Sequence, residues 1–296
     1  MIFKKKAKKE VAKSNAASKI KEDRKYILNS KSSFYLREAY KALRTNVNFA
    51  LADAPDGCKV ILVTSAMQSE GKSLTALNLA ISLGQTDKKV LIVDCDLRRP
   101  KLGRLLNLAN SCGLSNLLVE TSTVDMTIAS HDRHGIDILL SGDIPPNPSE
   151  LLASVRMQKL LEALREKYDF IILDSPPVNM VIDAVVLAEQ CDGVLFVVKA
   201  EQSERGAVIH AIEQLEYAKA KLLGFLLNGV SPESGVGYGK YRYRQYGRYG
   251  RYGRYGRYGR LGRGYYGGYS GYSTYGGYGY GHHHTSMDHN GPHPGH

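Results

Sequence analysis

Apolar runs of strand length alternate with helix-length stretches through the middle of this 296-residue chain. The runs are rich in Val, Ile and Leu and lie at 59–64, 90–94, 136–140, 170–174, 193–198 and 222–227. Helical candidates lie between them at 73–84, 149–167, 180–190 and 203–220. Strands that are apolar throughout are buried on both faces, and helix-length crossovers make neighbouring strands parallel. The pattern therefore predicts a doubly wound α/β domain with a mostly parallel sheet.

Positive charge is concentrated at the two ends of the chain. The formal net charge is +11, and residues 1–31 and 235–296 each carry a net +8, which leaves −5 for the middle. The first end is rich in Lys and poor in large apolar residues, and 238–281 is almost wholly Tyr, Gly and Arg. Such compositions cannot offset the entropy of folding. We predict a basic flexible arm at 1–31, a folded domain at 32–232 and a disordered tail at 233–296.

Three further patterns bound the class of protein. Residues 36–51 place apolar side chains at steps of three and four, which predicts an amphipathic helix. The four cysteines show no CxxC spacing, and Cys95 and Cys191 lie in or beside apolar runs, so we expect reduced thiols in a cytosolic compartment. Neither a membrane-spanning apolar run nor a signal peptide is visible, which favours a protein that is soluble or held at a membrane by a partner.

A phosphate-binding loop follows the first apolar run. The segment VILVT leads into AMQSEGKS and then into the helical SLTALNLAISL, which is the strand, loop and helix context of a P-loop. Gly71 lets the backbone approach phosphates, Lys72 would reach the β- and γ-phosphates, and Ser73 would bind Mg²⁺. We predict that ATP and Mg²⁺ are bound by this loop and the residue after it: Ala66, Met67, Gln68, Ser69, Glu70, Gly71, Lys72, Ser73 and Leu74.

Carboxylates end two other apolar runs. VLIVDCD ends in Asp94 and Asp96, and FIILD ends in Asp174. At the carboxyl ends of neighbouring parallel strands these acids would converge on the crevice that holds the phosphates. Mg²⁺ takes one or two carboxylates together with phosphate oxygens and water. A single Asp after an apolar run can instead cap a helix, but three beside a P-loop favour a metal site.

Together, the P-loop, VLIVDCD and FIILDSPP resemble the Walker A, A′ and B motifs of the bacterial tyrosine kinases of capsule and exopolysaccharide systems. The resemblance covers about residues 34–230 and includes DLRRP at 96–100, PPNPSELL at 145–152 and SPPVNMVIDA at 175–184. It implies a P-loop NTPase fold of the deviant Walker type, shared with partitioning ATPases. It also implies an ATP-dependent protein-tyrosine kinase that regulates capsular or exopolysaccharide synthesis or export.

The resemblance also assigns roles to site residues. It implies that Lys72, Asp94 and Asp96 are catalytic, with Asp94 in Mg²⁺ coordination and Asp96 activating the acceptor hydroxyl, although which Asp acts as the base stays open. Asp174 would hold the metal through water. Asn228, after the last apolar run, matches the position at which relatives contact adenine.

Two positions separate the kinases from partitioning and division-site ATPases. Those ATPases carry a signature lysine where this chain has Met67, which argues against that branch. Glu38, Lys41 and Arg44 fall on the ExxRxxR motif by which such kinases contact the next subunit of a ring, with Lys41 in place of the middle Arg. The resemblance therefore implies a homo-oligomeric ring such as an octamer. Three charges on a helix also fit a solvated face.

The C-terminal tail offers fifteen tyrosines between 238 and 280. In the family a C-terminal tyrosine cluster is phosphorylated in trans by the adjacent subunit, so the resemblance implies these acceptors: Tyr238, Tyr241, Tyr243, Tyr246, Tyr249, Tyr252, Tyr255, Tyr258, Tyr265, Tyr266, Tyr269, Tyr272, Tyr275, Tyr278 and Tyr280. By itself such a tail also fits a nucleic-acid-binding or condensate-forming segment. Joined to this domain, it favours the kinase over a nucleic-acid-binding ATPase.

Partners and location follow from the resemblance and the charged ends. Relatives without their own membrane segment depend on a separate transmembrane activator of the polysaccharide co-polymerase type. That partner would place a cytoplasmic kinase at the inner face of the cell membrane, where it would also act on tyrosines of other proteins. The arm at 1–31 could add contact with anionic lipid. The His-rich end, 281–296, could bind a transition metal weakly or be a disordered end or tag remnant.

Overall fold

The structure is a computed structural model that describes residue 18 and residues 20–120, 123–131 and 135–230. Within these ranges the chain forms one seven-stranded sheet with helices packed on it. The strands are β1 Lys59–Ser65, β2 Val90–Asp94, β3 Ile128–His131, β4 Ile136–Leu139, β5 Phe170–Asp174, β6 Gly193–Lys199 and β7 Leu222–Asn228. The helices are α1 Phe34–Ala50, α2 Lys72–Gly84, α3 Leu102–Leu106, α4 Leu114–Leu118, α5 Val124–Thr127, α6 Pro148–Leu152, α7 Val155–Arg165, α8 Asp183–Ala188 and α9 Arg205–Tyr217, preceded by a 3₁₀ turn at Arg24–Tyr26.

The sheet has the strand order β3-β4-β2-β5-β1-β6-β7. Its neighbouring strands pair in parallel, with the exception of β3 and β4, which pair antiparallel. The predicted doubly wound, mostly parallel fold is confirmed. We did not predict β3, because its sequence IASH lacks an apolar run and it is a short edge strand.

The core lies on both faces of the central strands. In β1, Val60 and Leu62 pack into one cluster with residues of α7, α8 and α9, while Ile61 and Val63 pack into the other with residues of α1 and α2. All four side chains are fully buried, and each such burial contributes about 1.5–3 kcal/mol to folding. Successive strand residues point to opposite faces, so an uninterrupted apolar run is needed where both faces are covered.

The edge strand β7 departs from the predicted burial. Leu222, Phe225 and Leu227 are 37%, 54% and 53% exposed, while Leu223 and Leu226 pack against the core. We expected this apolar run to be buried on both faces like the others, and for β7 that expectation is wrong. The run lies at the end of the sheet and pairs only with β6 among the described strands.

Helix boundaries also differ where capping groups interrupt a predicted helix. The candidate at 149–167 is two helices, because α6 ends at Leu152 and the Ser154 hydroxyl then accepts the Met157 N–H at 3.3 Å to begin α7. The predicted helix at 36–51 begins two residues earlier, at Phe34, after Ser33.

No helix in the described ranges is both long and apolar enough to span a bilayer, and all four cysteines are free thiols.

The N-terminal boundary of the folded domain also requires correction. We predicted a flexible arm to residue 31, yet Ile27 and Leu28 are buried among core residues. The Leu28 N–H donates to Asn78 Oδ1 at 2.8 Å, and Asn78 Nδ2 donates to the carbonyl oxygen of Tyr26 at 2.9 Å. The two large apolar side chains of Ile27 and Leu28 therefore attach the end of this Lys-rich segment to the core. Residues 1–17 and 231–296, with the fifteen tail tyrosines and the His-rich end, lie outside the described residues.

Candidate nucleotide site

The loop between β1 and α2 has the form that the sequence predicts for a phosphate site. Gly71 is the N-cap of α2 and has a φ of +97°. A Cβ at Gly71 would lie 1.9 Å from Asn228 Nδ2. Glycine is therefore required both by the backbone conformation and by the closeness of β7. The free N–H groups at the start of α2 make this loop favourable for an anion.

A buried carboxylate holds the loop in shape. Glu70 is 1% exposed, and its carboxylate accepts the Met67 N–H at 2.7 Å and the Ser203 hydroxyl. The Asn228 amide donates to the Glu70 carbonyl oxygen at 2.9 Å. The loop is thus supported from the β6–α9 connection and from the end of β7. We did not identify Ser203 from the sequence, because a contact across 133 residues leaves no spacing signal.

The two predicted metal-binding aspartates lie side by side. Asp94 and Asp174 are register partners on β2 and β5, and both are fully buried. The Asp94 carboxylate accepts the N–H groups of Asp96, Lys101 and Leu102 at 3.0–3.2 Å, so it also caps α3. Both carboxylate oxygens of Asp174 and the Ser73 hydroxyl oxygen make no hydrogen bond of standard geometry within the described residues.

Burial controls the electrostatics of this pair. It raises the pKa of both Asp94 and Asp174 above the ordinary carboxyl value, and the neighbouring Asp174 charge raises that of Asp94 further. Lys72 and the nearby Ser73 hydroxyl lower the pKa of Asp174 in part. Buried oxygens without partners are costly, and hard oxygen donors beside a phosphate loop are the ligands that Mg²⁺ takes. Ser73 and Asp174 therefore fit a magnesium ion.

Lys72 and Asp96, both predicted to be catalytic, contact each other. The Lys72 ammonium lies 3.6 Å from Asp96 Oδ2, and both side chains are buried. The other Asp96 oxygen accepts the Arg99 N–H at 2.9 Å, and the Arg99 guanidinium donates to Gln68 Oε1 at 3.1 Å. The turn after β2 is thereby joined to the P-loop.

The three flanking motifs meet in one ion pair. Arg98 of DLRRP donates to both oxygens of the buried Asp183 of SPPVNMVIDA, at 2.9 and 3.1 Å. It also donates to Ser149 Oγ of PPNPSELL at 2.8 Å, and the Ser149 hydroxyl donates to Asp183 Oδ1 at 2.6 Å. Arg98, Ser149 and Asp183 were not predicted as site residues, because contacts across 51 and 85 residues leave no spacing signal. The bidentate pair fixes the turn that carries Asp96 against α6 and α8.

A cavity of about 240 Å³ lies at the P-loop. Gly71, Lys72 and Ser73 line one part of it, and Leu105 and Asn228 also line it. Asn228 therefore lines the cavity, and its amide is bonded to the loop backbone. Its contact with adenine stays a prediction.

The predicted ring-contact residues divide into two kinds. Glu38 and Lys41 pair with each other on the exposed face of α1 at 2.8 Å. The Arg44 guanidinium instead donates to the Ser82 carbonyl oxygen within the same chain. Contact of these residues with a neighbouring subunit stays a prediction.

Comparison with known proteins identifies the family of this chain. Residues 58–223 match the AAA domain family. The tyrosine-protein kinase YwqD of Bacillus subtilis is 40% identical over 69% of this chain and 85% of its own length. The tyrosine-protein kinase CpsD of Streptococcus agalactiae is 35% identical over 69% and 87%.

Solved structures give the same relationship. The kinase domain of the Escherichia coli tyrosine kinase ETK has a TM-score of 0.65 at 34% identity and covers 69% of this chain and 79% of its own. The chimerical protein CapA2B2 has a TM-score of 0.62 at 39% identity and covers 67% and 85%. The resemblance found in the motifs is thus confirmed, and the chain belongs to the bacterial protein-tyrosine kinases.

Proposed function

We propose that this chain binds ATP with Mg²⁺ in the cavity at the P-loop and transfers the γ-phosphate to tyrosines in the tail of a neighbouring copy. The observation that carries the proposal is the arrangement around Lys72 and Ser73 of the P-loop. Both residues line the cavity, Lys72 contacts Asp96, and the buried oxygens of Ser73 and nearby Asp174 make no hydrogen bond of standard geometry within the described residues. The relatives that are named tyrosine-protein kinases support the choice of acceptor.

Each side chain around the P-loop has a distinct task in this proposal. Lys72 and the N-terminus of α2 bind the phosphates, while Ser73, Asp174 and Asp94 would hold Mg²⁺. When bound, the ion neutralises charge on the phosphate oxygens. Asp94 is already engaged by three backbone N–H groups. Asp96 accepts one backbone N–H, that of Arg99, and its other oxygen is held by a lysine that the phosphates also attract. This contrast supports Asp96 as the base.

The transfer step moves one phosphoryl group from ATP to a tyrosine oxygen. The tyrosine oxygen attacks the γ-phosphorus, the bond to the β-phosphate oxygen breaks, and the phenol proton passes to Asp96. A phenol with a pKa near 10 needs such an acceptor to become a nucleophile at neutral pH. ADP and phosphotyrosine are the products.

The tail supplies the acceptors by proximity. Fifteen tyrosines lie between 238 and 280, and a tether of flexible composition keeps its hydroxyls at high effective concentration near a neighbouring site. Each phosphate adds about −1.5 to −2 charges, so roughly five would cancel the +8 of residues 235–296. We propose that this inversion loosens a ring of subunits that is held together by docking of the tail. Equal oligomer masses for fully phosphorylated and unphosphorylated protein would contradict it.

Mixing two variants tests transfer in trans. One variant keeps the tail but carries Lys72→Met. The other keeps the P-loop and its aspartates but has Phe at all fifteen tail tyrosines. With Mg-ATP, we expect phosphotyrosine on the first chain only when the second is present. Labelling of neither chain would reject the tail as the substrate. Salt-sensitive binding of single-stranded nucleic acid without phosphotyrosine would favour the alternative function of the tail.

The wider role rests on the motif resemblance. We propose that the kinase regulates polysaccharide assembly or export with a separate transmembrane partner at the inner face of the cell membrane. The six lysines at 1–17 would add contact with anionic lipid. Flotation with anionic vesicles should fall when these lysines are replaced by Gln, and unchanged flotation would exclude the lipid contact.

A further inference from the structure

The N-terminal residues 20–28 form part of the nucleotide cavity. Ile20 and Asp23 line the same cavity as Gly71, Lys72 and Ser73. Residues 20–23 are helical and continue into the 3₁₀ turn at Arg24–Tyr26. A segment with the composition of a solvated arm is thus a wall of the site.

Side-chain contacts hold this wall on two helices of the site. The Asn78 amide, on α2, bonds to the backbone of Tyr26 and Leu28, and Leu28 is 1% exposed. The Arg24 guanidinium donates to the carbonyl oxygen of Arg104 on α3 at 3.1 Å. Because α2 begins at the P-loop and α3 carries Leu105, the wall is fixed to the elements that line the rest of the cavity.

The chemistry of the wall differs from that of the P-loop. Gly71, Lys72 and Ser73 offer N–H groups, an ammonium and a hydroxyl, which suit phosphate. The wall offers the apolar side chain of Ile20 and the carboxylate of Asp23, and Leu105 lines the same cavity. A carboxylate repels phosphate but accepts hydrogen bonds, and ribose hydroxyls and base amines are donors.

We propose that Ile20 and Asp23 bind the nucleoside of the nucleotide whose phosphates lie on the P-loop. Asp23 accepts a hydrogen bond from a ribose hydroxyl or a base amine, and Ile20 and Leu105 cover the apolar face of the base. This inference rests on the proposed binding of ATP at the P-loop. It makes the segment before α1 a specificity-determining part of the kinase.

Calorimetric titration of the full chain with Mg-ATP and with Mg-tripolyphosphate tests the proposal. For Asp23→Ala we expect ATP affinity to fall about tenfold, from the loss of one charged hydrogen bond, while tripolyphosphate affinity does not fall. Glu22→Ala is the matched control, because it removes the same charge from an exposed neighbour outside the cavity lining. We expect its ATP affinity to stay within about twofold of that of the unaltered protein.

A second pair of variants tests the anchoring. Arg24→Ala removes the bond to α3, and Lys25→Ala removes a charge from an exposed position beside it. We expect ATP affinity to fall about threefold to fivefold in the first, on the scale of one hydrogen bond, and to be unchanged in the second. Tighter ATP binding by Arg24→Ala would overturn the proposal, because the segment would then obstruct the cavity.

Modified nucleotides distinguish the two donors. If Asp23 accepts from the ribose, 2′-deoxy-ATP should bind the unaltered protein as weakly as ATP binds Asp23→Ala. If Asp23 accepts from the base amine, inosine triphosphate should instead bind the unaltered protein as weakly as ATP binds Asp23→Ala. Either result supports nucleoside recognition, and full affinity for both analogues together with an unchanged Asp23→Ala variant would reject it.

The controls separate this inference from the proposed function. Failure of the unaltered protein to bind either ATP or tripolyphosphate would reject the nucleotide site itself. Binding that is lost in Lys72→Met but equal in Asp23→Ala and Glu22→Ala would keep the site and reject only the nucleoside wall.

Discussion

The phosphate end of the proposed nucleotide site is built differently from the other end, at residues 20–28. At the phosphate end, Asp94 and Asp174 are fully buried at the ends of paired strands, and Lys72 is 3% exposed. At the other end, residues 20–28 are held on the domain by Asn78, Arg24 and one buried pair of apolar side chains. The phosphate end is thus positioned by the sheet, and the other end by a few side-chain contacts. The chemistry common to every nucleotide therefore lies on buried residues at the ends of paired strands and at the start of α2.

Replacing Asp174 by Asn should lower activity more than any other substitution proposed at the phosphate end. The variant keeps the shape of the side chain but removes a negative oxygen from the proposed magnesium site. We expect tyrosine phosphorylation to fall about 1,000-fold, or roughly 4 kcal/mol in the barrier. Single-turnover phosphotyrosine measurements check it. Activity within about tenfold of the unaltered protein would remove Asp174 from the site.

The same variant should change how stability depends on pH. Burial raises the pKa of Asp174 in the folded state. The contribution of Asp174 to the free energy of unfolding is therefore most favourable below the ordinary carboxyl pKa of about 4 and is lost as pH rises. The free energy of unfolding of Asp174→Asn, measured in urea, should therefore fall less between acid and neutral pH than that of the unaltered protein. Asp169→Asn is the opposing control. The pKa of Asp169 is lowered, first by the Lys89 N–H, so the stability it contributes is lost as pH falls.

Adding one methyl group at Gly71 tests how closely the P-loop is fitted. Ala would be strained at a φ of +97° and would displace the Asn228 amide. We expect ATP affinity to fall about 50-fold, from roughly 2 to 3 kcal/mol of strain and lost contact. Gly206→Ala is the control, because its added Cβ meets no atom within 4 Å. That helical substitution should raise the free energy of unfolding by about 0.5–1 kcal/mol, and equal ATP affinities in the two variants would contradict the close fit.

The contrast between the two ends also explains what the sequence could predict. Central strands such as β1 and β2 are local apolar runs, and Asp94, Asp174 and Lys72 follow from where such runs end. The exposure of β7 depends on which strand lies at the edge, and Ser203 reaches Glu70 from 133 residues away. Neither has a local signal. Residues 20–28 were wrongly included in the flexible arm because composition outweighed the single apolar pair, Ile27 and Leu28.

Asn228 lines the cavity, and its substitution should have the smallest effect of the three. Its amide donates to the Glu70 carbonyl oxygen, so Asn228→Ala should loosen the P-loop and weaken ATP binding about fivefold to tenfold, on the scale of one hydrogen bond. Because that bond supports the loop, tripolyphosphate affinity should fall by the same factor. Leu227→Ala, on the same strand and 53% exposed, should leave both affinities unchanged. Loss of ATP affinity alone would instead assign Asn228 to the nucleoside, as the sequence predicts, and the end of β7 would then belong with residues 20–28.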